Sequence, residues 1–202
     1  MTSVQFYDKL LNVFDCRFVR RDYLHSSILW CIDSKYRKLT KLDRFLSDQL
    51  ENTDDSLIKV AVSCIGKDDD ATILNILQWV TKNIVYKSDV AQYNKDEYWA
   101  DAIQVLTKKA DDCDGMNGLI YILARLAGIV QYKLFCCIGE MRNGGGHFYV
   151  MYYSTKELKL VTIDATYYPD FSPVKQRLSI NEMWDYLTPW YIFNEEICIK
   201  PI

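Results

Sequence analysis

The chain predicts an α+β protein in which helices come first and strands follow. Three observations carry this. Apolar residues recur at spacings of three and four as far as Ala127, which is the helical period. Beyond that point come runs rich in aromatic and β-branched residues, separated by short polar breaks, as strands are. Two of these runs, 147–153 and 158–164, flank the polar break Ser154-Thr155-Lys156-Glu157 and read as a β-hairpin.

Residues 1–50 read as helical, with stripes at Phe6, Leu10, Val13 and Phe14 and at Tyr23, Ser27, Trp30 and Cys31. His25 has no cysteine or acidic partner at metal-ligand spacing and reads as structural. Residues 51–55 are a break, with Asp55 or Ser56 capping a helix striped by Leu57, Val60, Ala61 and Cys64. After Gly66, Asp70 is placed to cap a helix bearing Ile73, Ile76, Leu77, Val80 and Ile84; the acidic run 68–70 reads as a solvated turn. A loop from Lys87 to Glu97 leads to Tyr98-Trp99. The next helix carries Met116, Leu119, Ile120, Leu123, Leu126 and Ala127 on one face, with Asp112 as N-cap and Gly128 just past its end. Residues 133–138 read as a strand that points Cys136 and Cys137 to opposite faces. Gly144-Gly145-Gly146 is either a wide turn or a place where backbone approaches a substrate closely. Ser179 and Glu182 fit a capping box opening a short helix to about Leu187, and 190–193 and 197–199 are closing strands. The division expected is 1–55, a helical extension, and 56–202, the core.

Cys113, His147 and Asp164 form a chemical constellation on this frame. Alone, the ordinary explanations are an inert buried thiol, a packed histidine and a strand-end cap. Together they are what a thiol nucleophile, its base and the base's orienter require. Facing residues of an antiparallel pair have a constant index sum. A turn centred between Thr155 and Lys156 sets it at 311, which places His147 opposite Asp164 on one sheet face. Cys113, in the first turn of its helix, feels the positive end of the helix dipole, which favours the thiolate. Asp111, Asp112 and Asp114 oppose this, so activation is expected where those carboxylates point to solvent.

The stretch Tyr98 to Leu106, then Asp112-Cys113-Asp114-Gly115, then Leu119 to Ile129 resembles the transglutaminase-like superfamily, and most of all its bacterial cysteine proteinases. Gly145-Gly146-His147 and Ile163-Asp164-Ala165-Thr166 fit the same pattern, as do the helix at 73–80 and Ile84-Val85-Tyr86; the resemblance spans about 57–169. It implies a papain-like core, with a helix bearing the cysteine packed on an antiparallel sheet. By matching positions, Cys113 is the nucleophile, His147 the general base and then acid, and Asp164 the orienter. Trp99 then shapes the substrate cleft or helps hold the oxyanion, or is simply a packed aromatic. Asp111 stands where that family usually has glycine, and Gly115 where the proteinases often have a second acid. Some proteinases bind calcium through acids flanking the cysteine. Asp112 and Asp114 are the candidates for that here, though the altered set argues against it, and no cofactor is expected.

Composition narrows the classes. At 202 residues and half hydrophobic, the chain can bury one sizeable core, and a net charge of −3 gives no basic footprint for nucleic acid. No signal-like apolar segment or membrane-length run is seen. Seven cysteines without framework spacing suit a cytoplasmic or other reducing compartment. The function expected is thiol-dependent acyl transfer on a protein or peptide substrate, most simply hydrolysis. The alternatives are glutamine transamidation and a non-enzymatic scaffold on the same fold, a component of a larger assembly such as a virus particle.

Overall fold

A computed structural model describes residues 18–21, 42–196 and 198–201. The expected stripes at 6–14 and 23–31, with His25, Cys16 and Cys31, lie outside the described residues. Within them, the helical reading of 1–50 meets one exception: Phe18–Arg21 is a strand, β1. Its backbone pairs antiparallel with 198–201, so pairing across the chain overrides local preference.

The helices are α1 (Leu42–Glu51), α2 (Asp55–Ser63), α3 (Asp69–Asn83), α4 (Asp89–Tyr93), α5 (Ala102–Lys108) and α6 (Cys113–Leu126). Two caps fall earlier than expected. Asp54, rather than Asp55 or Ser56, starts α2 by accepting from Ser56 N at 2.8 Å and Leu57 N at 3.1 Å. Asp68, rather than Asp70, starts α3 by accepting from Ala71 N at 2.8 Å. In a run of acids the cap is the residue whose backbone is still extended while its carboxylate reaches the second or third amide ahead. Asp70 instead accepts from Tyr152 Oη at 2.7 Å and Ser154 Oγ at 3.0 Å.

Six strands make one antiparallel sheet in the order β1-β8-β7-β4-β5-β6. They are β4 (Leu134–Met141), β5 (Gly146–Ser154), β6 (Lys159–Ile163), β7 (Tyr186–Phe193), β8 (Cys198–Pro201) and β1. Strands β2 (Val85–Tyr86) and β3 (Ala110–Asp111) form a separate parallel pair that brings Asp111 beside the α4 region. The capping box at Ser179 and Glu182 exists, but it starts only a single 3-10 turn, Ile180–Glu182, and 186 already opens β7.

Side chains alternate between two cores. Cys136, Ile138, Phe148, Val150, Tyr152, Val161 and Ile163 face the helices, whereas Phe135, Cys137, Tyr149, Met151, Tyr153 and Leu160 face the other way, under Ile180 and Met183. Cys136 and Cys137 thus diverge as the alternation predicts. Both faces are covered, which is why β4 and β5 are almost continuously apolar. Helix α6 lies between α1, α2, α3 and α5 on one side and β5 on the other. It is buried all round from Asp114 to Ala124, so the single apolar stripe understates its burial. Gly128, at φ 94°, ends it as expected. Among the described residues no helix is long and apolar enough to cross a membrane.

The β5–β6 hairpin departs from the expected register. Val150 faces Ile163 and Ser154 faces Lys159, an index sum of 313 rather than 311. The loop is 155–158, with Leu158 at φ 53°, so the turn is centred one residue later than assumed. A shift of two preserves side-chain parity. His147 and Asp164 are therefore diagonal rather than directly opposed, yet remain on one face.

Candidate active site

The diagonal brings the pair into contact. His147 Nε2 lies 2.7 Å from Asp164 Oδ2, and both side chains are fully buried. Asp164 is held by further donors. Oδ2 also accepts from Tyr186 Oη at 2.8 Å, and Oδ1 accepts from Thr166 N at 2.9 Å, Thr166 Oγ1 at 2.8 Å and Asn117 Nδ2 at 3.1 Å. Burial alone would raise its pKa. The hydrogen bonds from His147 and Thr166 and the His147 charge outweigh that and hold the carboxyl down at about 2. It is an anion at any physiological pH. The imidazole is boxed by rings, stacked on Tyr149 at 5.9 Å and met edge-on by Tyr167 at 4.5 Å. With Nε2 committed to Asp164, Nδ1 is buried and has no hydrogen-bond partner among the described residues.

Cys113 opens α6, with Asp112 as N-cap accepting from Asp114 N at 3.3 Å. The thiol is half-buried, and the Phe148 backbone N–H, one residue beyond His147, lies within reach of its sulfur. Its pKa moves up, opposite to what the helix dipole alone would do. Burial of the thiol pushes it well up, and Asp114, itself only 6% exposed, and Asp112 add like-charge repulsion. In this resting form the sulfur carries its proton.

The two departures at 111 and 115 are one structural event. A side chain at Gly115 would overlap Cγ and Cβ of Asp111, so the space left empty at 115 is filled by the carboxylate from 111. Among the described residues, Asp89, Asp111 and Asp112 each offer an oxygen within 4.8 Å of the others. That trio is an arrangement suited to a cation; the candidates from sequence, Asp112 and Asp114, share only Asp112 with it. Asp111 accepts from Tyr93 Oη at 2.9 Å and Asp112 N at 2.9 Å. Asp89 accepts from Tyr98 N through Oδ2 and leaves Oδ1 buried without a hydrogen-bond partner among the described residues. Burial first, then Asp112, raises Asp89 to about 7. Asp111, pushed up mainly by burial, sits at about 6. All-oxygen donors are what a hard divalent cation prefers, so the trio fits one.

Trp99 is 8% exposed, set edge-on between Phe45 at 5.3 Å and Phe148 at 5.4 Å. Its Nε1 donates to Glu97 Oε1 at 2.6 Å, so the indole N–H is already engaged. The Gly144 stretch is the β4–β5 turn, with Gly144 at φ 87° donating to Met141 O at 2.8 Å. Asp89, Thr166 and Tyr186 were not singled out from sequence as part of the site. Thr166 carried a readable signal, since Asp-x-Thr invites the hydroxyl and amide to turn back on the carboxylate. Asp89 and Tyr186 carried none, being brought in by β2–β3 pairing and by β7.

No protein-family model matches the sequence, and no curated protein is similar to it. Solved structures are. Legionella pneumophila LapG is 15% identical over 80% of this chain and 88% of its own, with a TM-score of 0.57. Its calcium-bound form is 15% identical over 75% and 83%, with a TM-score of 0.55. A TGase structure aligns at a TM-score of only 0.42, with 20% identity over 72% of this chain and 37% of that one, and nothing is built on it. At such identities the likeness shows the fold alone. The chain shares the fold of LapG, helices packed on an antiparallel sheet.

Proposed function

We propose that the protein is a thiol-dependent acyl transferase that hydrolyses a peptide or amide bond through Cys113, His147 and Asp164. The observation that carries this is the division of labour at the imidazole. Nε2 is held by a buried carboxylate that stays ionised, and Nδ1 is left buried and unbonded on the strand whose next amide reaches the Cys113 sulfur. The Cys113 sulfur and Nδ1 make no hydrogen bond in this structure, so the thiol closes on Nδ1, which then takes its proton. The thiolate, at the positive end of α6, attacks the carbonyl carbon, and backbone N–H groups at the helix start receive the oxyanion. His147 returns the proton to the leaving amine as the C–N bond breaks. Water, deprotonated by the same nitrogen, then releases the acid and regenerates the thiol. An amine in place of water gives transamidation with the same residues.

The raised thiol in the resting form bears on regulation. Asp89, Asp111 and Asp112 would hold a calcium-like cation, and its charge would offset the Asp112 repulsion that adds to burial in holding the Cys113 thiol up. LapG has been solved calcium-bound, which supports this reading. The same raised thiol also favours the scaffold reading, so the test must separate them. Iodoacetamide labelling with mass spectrometry, with and without calcium, should find Cys113 faster than the other cysteines and slowed by His147→Ala. Peptide turnover should vanish in Cys113→Ala. Equal labelling of all thiols in both conditions, with no turnover, would leave the scaffold standing.

A further inference from the structure

Asn117 lies one helical turn after Cys113 on the same face of α6, and it is 0% exposed. Its amide makes three contacts across two other segments. Nδ2 donates to Phe148 O at 2.8 Å and to Asp164 Oδ1 at 3.1 Å, while Oδ1 accepts from Ala165 N at 2.9 Å. The β5–β6 ladder stops at the Val150–Ile163 pair, just short of where His147 and Asp164 meet. Beyond that point Asn117 stands in for the missing ladder, satisfying a carbonyl on the β5 side and an amide on the side of the departing chain. A buried polar group is kept when all its bonds are made, and here every donor and acceptor lands on a segment bearing a site residue. The Phe148 C=O is thus held from α6 by Asn117, next to the residue that bears the imidazole.

We propose that Asn117 is a positioning residue of this site. It clamps the helix of the thiol to both the strand of the imidazole and the turn of the carboxylate, so that one side chain sets the relative placement of all three. This rests on the thiol–imidazole reading above. Thr166 also bonds Asp164 Oδ1 but makes no hydrogen bond to α6 among the described residues, so Thr166→Ala loosens the carboxylate without releasing the helix.

The test is the pH profile of Cys113 alkylation, together with kcat and KM for a turned-over peptide, in wild type, His147→Ala, Asn117→Ala, Asn117→Ser and Thr166→Ala. Each is measured well below its melting temperature. Asn117→Ala should move the alkylation profile toward that of His147→Ala and lower kcat at least tenfold, with KM within about twofold. Thr166→Ala should move it less. Asn117→Ser keeps one donor, regains part of the rate, and serves in place of Asn117→Ala should the latter not fold. Wild-type and His147→Ala profiles that coincide overturn the thiol–imidazole reading itself. A wild-type profile distinct from His147→Ala but unchanged in the Asn117 variants, even if their melting points fall, overturns the role of Asn117 alone.

Discussion

Asp89→Asn should make the metal-free protein more stable at neutral and alkaline pH. Asp89 is 3% exposed and its pKa rises from the ordinary 3.8 to about 7, first by burial and then by Asp112. An acid whose pKa is raised on folding binds more protons folded than unfolded, so stability falls as pH rises. Below about pH 4 the penalty is absent, because the group is protonated in both states. It grows up to about pH 7 and is constant above. At about 1.36 kcal/mol per pH unit the displacement is worth at most about 4 kcal/mol. Part of it is shared with Asp111 through their common repulsion, so roughly 2–4 kcal/mol is the expected gain. Asparagine keeps an oxygen for Tyr98 N and adds donors toward the other two carboxylates. For a chain of this size the gain corresponds to a melting point raised by roughly 5–15 °C. The assay is thermal unfolding in chelator at pH 4 and pH 8, repeated with millimolar calcium. At pH 4 the variant and wild type should melt together. At pH 8 the variant should melt higher in chelator, and calcium should raise wild type but not the variant. A variant that melts at or below wild type at pH 8 without metal refutes the reasoning.

On the proposed mechanism, Asp164→Asn removes the buried anion that orients His147 and should lower kcat by about 10⁴, while the protein remains folded by circular dichroism. Gly115→Ala places a methyl group on Asp111 and should reduce stability by about 1–2 kcal/mol and weaken the calcium response; adding Asp111→Gly should restore stability but not the calcium response, which denaturant titration with and without calcium would read. Trp99→Ala opens the space between Phe45 and Phe148 and should cost about 3–5 kcal/mol in urea unfolding; an unchanged midpoint would show that the indole is not a core element.

Much of the frame was legible because its signals are local. The period of α3 and α6, the glycine at φ 94° after α6 and the alternation of β4 and β5 each follow from a few neighbouring residues and report which surface must be buried. Cap positions were less exact, since several adjacent acids can serve and backbone geometry chooses among them. The His147–Asp164 contact survived a wrong register because parity, not exact facing, decides which sheet face a side chain occupies.

The order of the residue types along the chain by itself determined the α+β layout, the two-sided strands and the placing of a cysteine at a helix head. Only the tertiary structure decided the electrostatic state of that cysteine. Whether a flanking carboxylate meets water or meets another carboxylate depends on the β2–β3 pairing and on the gap at Gly115, which join Asp89, Asp111 and Asp112. Burial and charge are properties of the assembled surroundings, so a thiol that the helix end alone would acidify is instead held protonated.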